Sequence, residues 1–171
     1  MSPLSVTTVP AAATRVLTAE ALVDRLAGLR ASGHRVVCTN GCFDVLHRGH
    51  VSYLEAARRL GDVLVVGIND DEGVRRLKGA DRPVNTAEDR AAVLAALACV
   101  DLVTIFAGDT AEGLVELVRP DTYVKGGDYS ARPLPEADVV RRYGGQVRLL
   151  DYVPDRSTTA MIDRIRGGAP R

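Results

Sequence analysis

The stretch "DVLVVGIND", residues 62–70, constrains this chain most, because Val63, Leu64, Val65, Val66 and Ile68 follow one another with no polar alternation. A strand with one wet face alternates apolar and polar residues. An unbroken apolar run needs cover on both faces, which is the situation of a parallel strand inside an α/β sheet.

The neighbouring segments supply that cover. Upstream, "LTAEALVDRLAGLRASG" repeats Leu22, Leu26 and Leu29 at helical spacing behind a Thr18 N-cap and ends at Gly33. The strand-like "RVVCTN" follows, then "HVSYLEAARRLG", helical in period and closed by Gly61. Beyond the central run the alternation continues through "TAEDRAAVLAALACV" (helix), "DLVTIF" (strand), "TAEGLVELVR" (helix), "DTYVKGG" (strand), "LPEADVVRRYGG" (helix), "QVRLLDYV" (strand) and "STTAMIDRIRGG" (helix). This order predicts an α/β fold, a doubly wound parallel sheet of about five strands with helices on both faces. No internal repeat is evident.

At 171 residues and 46% hydrophobic content the chain can bury one core, so a single domain is expected. The Ala-, Thr-, Ser- and Pro-rich start lacks periodicity. We therefore expect a flexible leader over residues 1–16, the folded domain over 17–166 and a flexible tail over 167–171. A formal net charge of +0 gives no basic field of the kind that drives nucleic-acid binding. No apolar run is long enough to span a bilayer and no secretory signal opens the chain, which points to a cytoplasmic protein without a membrane partner. Three cysteines, Cys38, Cys42 and Cys99, are an odd and irregularly spaced set, read as reduced thiols.

In an open parallel sheet, ligands bind outside the carboxyl ends of the strands. The residues that follow the apolar runs are "TNGCFD", "NDDEGVRRLKG", "AGD", "KGGDYS" and "PDRSTT", so glycines, amides, carboxylates and bases collect on one edge. The first of these loops leads into "LHRGH", with His47 and His50 three apart where a helix begins. Three readings compete. A glycine-rich loop opening onto a helix N-terminus offers unpaired N–H groups and a positive dipole end, both of which favour phosphate, with Gly49 allowing close approach and each imidazole supplying a donor. A second reading joins Cys38, Cys42, His47 and His50 as a zinc site, but such sites usually pair close ligands across a longer segment, and Cys38 belongs to a buried strand. The third is two surface histidines beside a turn. Neither G-x-x-x-x-G-K-[ST] nor G-x-G-x-x-G is present in the expected place, which disfavours a P-loop kinase and a standard dinucleotide enzyme.

The company of the histidine pair favours phosphate. "NGCFDVLHRGH" resembles the first signature loop of the H-x-G-H nucleotidyltransferases, a superfamily with a Rossmann-like sheet, and "RSTTAMI" resembles their second signature. "INDDEGVRRLKGADRPVN" and "VKGGDY" are most similar to the D-glycero-D-manno-heptose 1-phosphate adenylyltransferases, which make ADP-heptose. The likeness runs from about Val36 to Ile165. In many members the domain follows a sugar kinase; one helix and an irregular leader precede it here, so the resemblance implies a stand-alone transferase supplied with heptose 1-phosphate by another enzyme. Members are commonly dimeric or larger, which implies a homo-oligomer.

The reaction so implied is attack of a sugar phosphate oxygen on the α-phosphorus of ATP with loss of pyrophosphate, and it needs aligned anions and donors rather than a covalent intermediate. By the same resemblance His47, His50 and Lys78 are catalytic. Lys78 stands with Arg75, Arg76 and Arg82 in a basic run. The nucleotide would be bound by Asn40, Gly41, Cys42, Phe43, Gly49, Gly126, Gly127, Asp128, Ser157, Thr158 and Thr159, and the second substrate by Asp44, Asn69, Asp70, Arg82 and Asn85. Magnesium is expected on the nucleotide phosphates and needs no protein cage. The alternatives are a GTP-using relative, a cytidylyltransferase acting on glycerol phosphate or a phospho-alcohol, and a nucleotide-binding module without turnover.

Overall fold

The computed structural model describes residues 11–127, 134–150 and 157–167. It contains a five-stranded, all-parallel sheet in the order β3-β2-β1-β4-β5, built from β1 (Val36–Gly41), β2 (Val63–Asn69), β3 (Leu102–Phe106), β4 (Thr122–Gly126) and β5 (Gln146–Leu150). The chain winds outward from β1 to β3, then returns to lay β4 against the other side of β1. The topological switch point is therefore the β1/β4 boundary.

Among the described residues seven helices accompany the strands: α1 (Ala19–Ala31), α2 (Arg48–Arg58), α3 (Asp71–Lys78), α4 (Ala87–Ala95), α5 (Glu112–Val118), α6 (Pro135–Arg142) and α7 (Thr158–Ile165). Successive β1 residues explain the two layers. Val36 and Cys38 pack with Leu22 and Leu26 of α1, Leu114, Val115 and Val118 of α5 and Val139 and Val140 of α6. Val37, between them, faces Tyr53, Leu54 and Ala57 of α2 and Leu94 and Ala95 of α4. With both faces covered, every residue of β2 is buried, as its apolar run requires. Gly67 in that strand has no room for a side chain: a Cβ there would lie 2.2 Å from Leu114 Cδ2.

The aspartates that open the strand segments pin the opposite, amino edge. Asp121 accepts from Val36 N at 2.7 Å, Asp101 from Leu64 N at 2.8 Å and Asp62 from Arg35 N at 2.8 Å. Each thus satisfies a donor at the start of a neighbouring strand, where the ladder leaves one over. Acidic chemistry at this edge is structural.

Two expectations change. Residues 12–16, assigned to a loose leader, include a 3₁₀ turn (Ala12–Arg15) and lie against the domain. Arg15 Nη1 donates to Ala95 O at 3.3 Å and Val100 O at 3.1 Å, Val16 bridges to Val103, and Leu17 N donates to Val103 O. Val16 and Leu17 join the core on opposite sides of the edge strand β3 and blunt it, a long-range role invisible in local composition. The second change is α3, which falls in a segment read as a strand-end loop. Asp70 caps it by accepting from Gly73 N at 2.7 Å, and only Gly73 and Val74 are buried, so its eight residues carry no repeated apolar period. Among the described residues no helix is long and apolar enough to cross a membrane.

Candidate active site

β1 ends at the switch point, and the chain leaves it through a tightly folded loop. Phe43 adopts a left-handed φ of 46°, costly for an aromatic residue and tolerated where the surroundings hold it. A Cβ at Gly41 would lie 3.0 Å from the Phe43 ring, so a side chain there would require the ring to shift. Phe43 then packs edge-on to His50, with ring centroids 5.2 Å apart and planes at 65°.

His47 is the N-cap of α2, and its Nδ1 accepts from His50 N at 3.4 Å. With Nδ1 accepting, the ring proton sits on Nε2 and gives a donor. The two imidazoles stack at 3.8 Å with planes 16° apart. Burial, and secondarily His47, depresses the His50 pKa to about 4, and its Nδ1 is buried without a hydrogen-bond partner. His50 is therefore neutral near pH 7. Gly49 is buried in the first turn between them. A phosphate arriving here meets imidazole donors and the free amides of a helix N-terminus, and its charge favours protonation of the rings.

A second helix start lies alongside. Thr158, first residue of α7, donates from Oγ1 to Val45 O at 3.1 Å, tying that helix to the loop that carries the histidines. Ser157 caps α7 by accepting from Ala160 N at 3.4 Å, and both Ser157 and Thr159 are exposed. Gly126 ends β4 beside β1, and Gly127 continues with φ 108°, donating its N–H to Leu150 O. Asp128, which the resemblance adds to this loop, lies outside the described residues.

The basic run separates by pairing. Arg75 bonds Glu72, Arg76 bonds Asp109 and Arg82 bonds Asp44. Among the described residues Lys78, at the exposed end of α3, alone of the four has no carboxylate partner. It is close enough to act on Cys42, whose thiol burial pushes up against the pull of Lys78, Arg90 and Arg82. Among the described residues the lysine thus forms no salt bridge, and its charge is felt by the thiol of the loop after β1.

The residues considered for the second substrate form a connected frame. Asp44 is buried and accepts from Val84 N at 2.8 Å, Asn85 N at 3.0 Å and the Arg82 guanidinium, while Asn85 Nδ2 donates to Asp44 O at 2.8 Å. Burial alone would raise the Asp44 pKa, but the two amides and Arg82 more than reverse this and lower it. Asn69 is buried with Oδ1 3.9 Å from Cys42 Sγ, and Asp70 is occupied as a cap. Most of these side chains are committed to holding the loops.

Arg90 completes the frame and is absent from the sequence-derived set. Its side chain is fully buried and donates to Cys42 O at 2.7 Å, Asn69 O at 2.9 Å, Asn85 O at 3.1 Å and Asp71 Oδ1 at 2.7 Å. One guanidinium thereby joins the loop after β1, the end of β2, the start of α3 and the entry to α4. The zinc arrangement does not form: Cys38 faces the α1/α5 layer, whereas Phe43, against which His50 packs, belongs to the α2/α4 layer. Among the described residues no group of three or more His, Cys, Asp and Glu side chains could hold a metal ion.

Known proteins resemble this chain along most of its length. Over 151 residues, 88% of this chain, it is 54% identical to the bifunctional protein HldE of Pseudomonas paraeruginosa (strain PA7), covering 32% of that protein. It is 55% identical over 137 residues, 80% of this chain and 29% of the other, to the bifunctional protein HldE of Alcanivorax borkumensis. The chain thus spans about a third of the length of the curated relatives it matches. Among solved structures, the lipopolysaccharide core biosynthesis protein from Thermoplasma volcanium superposes with a TM-score of 0.57 at 28% identity, covering 71% of this chain and 98% of that one. The family model for cytidylyltransferase-like domains matches residues 38–154, from the middle of β1 to beyond β5, and the chain belongs to that family.

Proposed function

We propose that this protein transfers AMP from ATP to D-glycero-D-manno-heptose 1-phosphate, giving ADP-heptose and pyrophosphate. The observation that carries the reading is the stacked pair His47 and His50, the latter neutral near pH 7, at the N-terminus of α2 beside the β1/β4 switch point. The choice of substrates rests on the likeness of "RLKGADRPVN" and "VKGGDY" to the heptose 1-phosphate adenylyltransferases, and on the 54% identity to a bifunctional HldE.

A sugar phosphate oxygen attacks the α-phosphorus of ATP, a new P–O bond forms, and the bond to the β-phosphate oxygen breaks to release pyrophosphate. His47 and His50 donate to the triphosphate and hold the charge that develops on its oxygens. Lys78 approaches from α3, and Ser157, Thr158 and Thr159 offer hydroxyls and amides to the β- and γ-phosphates. Asn40, Gly41, Cys42 and Phe43, with Gly126 and Gly127, line the nucleoside side of the cleft. Arg82, Asn85, Asn69, Asp70 and Asp44 shape the sugar phosphate side, chiefly by fixing the loops. Magnesium supplies charge neutralisation when it enters with the nucleotide.

Purified protein given magnesium, ATP and heptose 1-phosphate should release pyrophosphate, and should do so faster than with GTP, CTP or glycerol phosphate. Preference for CTP with glycerol phosphate would replace the substrate assignment. Nucleotide binding without pyrophosphate release from any pair would make the protein a binding module.

A further inference from the structure

Lys125 has no part in the reaction as drawn, yet it sits at the switch point. β1 and β4 pair in register up to Thr39 and Val124, so the next residues, Asn40 and Lys125, lie side by side on the face of Cys38 and Tyr123. Lys125 Nζ donates to Asn40 Oδ1 at 2.7 Å, and Tyr123 Oη donates to the same oxygen at 2.5 Å. Glu136 of α6, itself buried, lies 3.9 Å from the ammonium. A lysine whose side chain is only 16% exposed carries a desolvation cost, and its partners at the site are this amide, the tyrosine and the carboxylate.

The chemistry of the two donors fixes the amide. An ammonium can only donate, so Asn40 must turn its oxygen toward Lys125 and its nitrogen away. Among the described residues Nδ2 has no hydrogen bond, and Asn40 is partly exposed at the carboxyl end of β1. The result is a pair of N–H donors held beside the cleft, with the flipped amide disfavoured by placing N–H against an ammonium.

We infer that Lys125 is a positioning residue that locks the Asn40 carboxamide with its Nδ2 donors facing the substrate cleft, where they bind an oxygen acceptor of a substrate. The inference rests on the proposed transfer for the identity of that substrate. The acceptor is a hydroxyl or phosphate oxygen, carried either by the nucleotide or by the sugar phosphate. Tyr123 alone does not impose the orientation, because a hydroxyl can accept from an amide as readily as donate to it.

The test is a double-mutant cycle with Lys125→Met and Asn40→Ala, reading KM and kcat for each substrate and the Kd of ATP by calorimetry. Each single variant should raise the KM of one and the same substrate by about ten-fold, the scale of one lost hydrogen bond, with kcat little changed. The double variant should be no worse than Asn40→Ala alone. A raised ATP Kd assigns the acceptor to the nucleotide, and a raised KM for the sugar phosphate alone assigns it there. Losses that multiply in the double variant would overturn the coupling. Should Lys125→Met fail to fold, Asn40→Ala decides by itself, since an unaltered KM for both substrates removes the donor role. If the wild type releases no pyrophosphate, the reaction is wrong but a Kd cycle on ATP and on the sugar phosphate still tests Lys125: weaker binding of one and the same ligand in both single variants and no further loss in the double supports it, and Kd values unchanged for both ligands in Asn40→Ala overturn it.

Discussion

His50 stacks on His47 with the ring centroids 3.8 Å apart, and the same ring is flanked edge-on by Phe43. That sandwich determines which way the imidazole can present its nitrogens. In His50→Ala the donor is gone but the surrounding helix start is intact, so turnover should fall by about a hundred-fold or more while the far-ultraviolet circular dichroism is unchanged. Pyrophosphate release at saturating substrates is the measurement. Activity equal to the wild type would remove His50 from the chemistry.

The environment of His50 also predicts how stability varies with pH. Folding lowers its pKa from 6.5 to about 4, so between those values the unfolded chain binds the extra proton. The contribution of the neutral ring is fully present above pH 6.5 and is lost progressively as the pH falls toward about 4. Thermal melts of the wild type and His50→Gln across this window should converge in acid and separate above it. Parallel curves would show that His50 does not titrate in this way.

Asp44 binds the loop from Arg82 to Asn85 through three donors while almost wholly shielded from water. Asn at this position would turn an N–H toward one of those donors and leave Arg82 without its charge partner. We expect Asp44→Asn to cost about 3 kcal/mol in urea unfolding. The Asp44 pKa is lowered in the fold, so the wild type keeps this contribution above its ordinary value of 3.8 and loses it as the pH falls through the depressed one. A variant as stable as the wild type would return Asp44 to the role of a ligand.

What could be read in the sequence was what neighbouring residues decide. The unbroken apolar run of β2 implies two covered faces, the Thr18 and Gly33 signals bound α1, and "RSTT" does open a helix, as Ser157 and Thr158 show. What could not be read depends on contacts across the sheet. Lys125 occupies an ordinary alternating strand position, and only the return of β4 beside β1 brings it to Asn40. Residues 12–17 have no period, yet they cover β3. Arg90, in "TAEDRAAVL", resembles any solvated helix charge. Its burial follows from three loops whose carbonyls converge at one point, and no local pattern encodes that.

Arg90 therefore gives the sharpest test of the loop frame. A lysine there keeps the charge and can reach Asp71, but a single ammonium has three protons on one nitrogen and cannot span the carbonyls of Cys42, Asn69 and Asn85 as the guanidinium fork does. At least one buried carbonyl loses its donor, at about 1–3 kcal/mol. Arg90→Lys should consequently lower the melting temperature and also lower kcat, because the loop after β1 leads directly to His47 and His50. Arg90→Met, which removes this donor from all four acceptors, should be worse by both measures, with a stability loss of about 3–5 kcal/mol. If Arg90→Lys melts early but turns over at the wild-type rate below its transition, the guanidinium stabilises the loops without setting the position of the histidines.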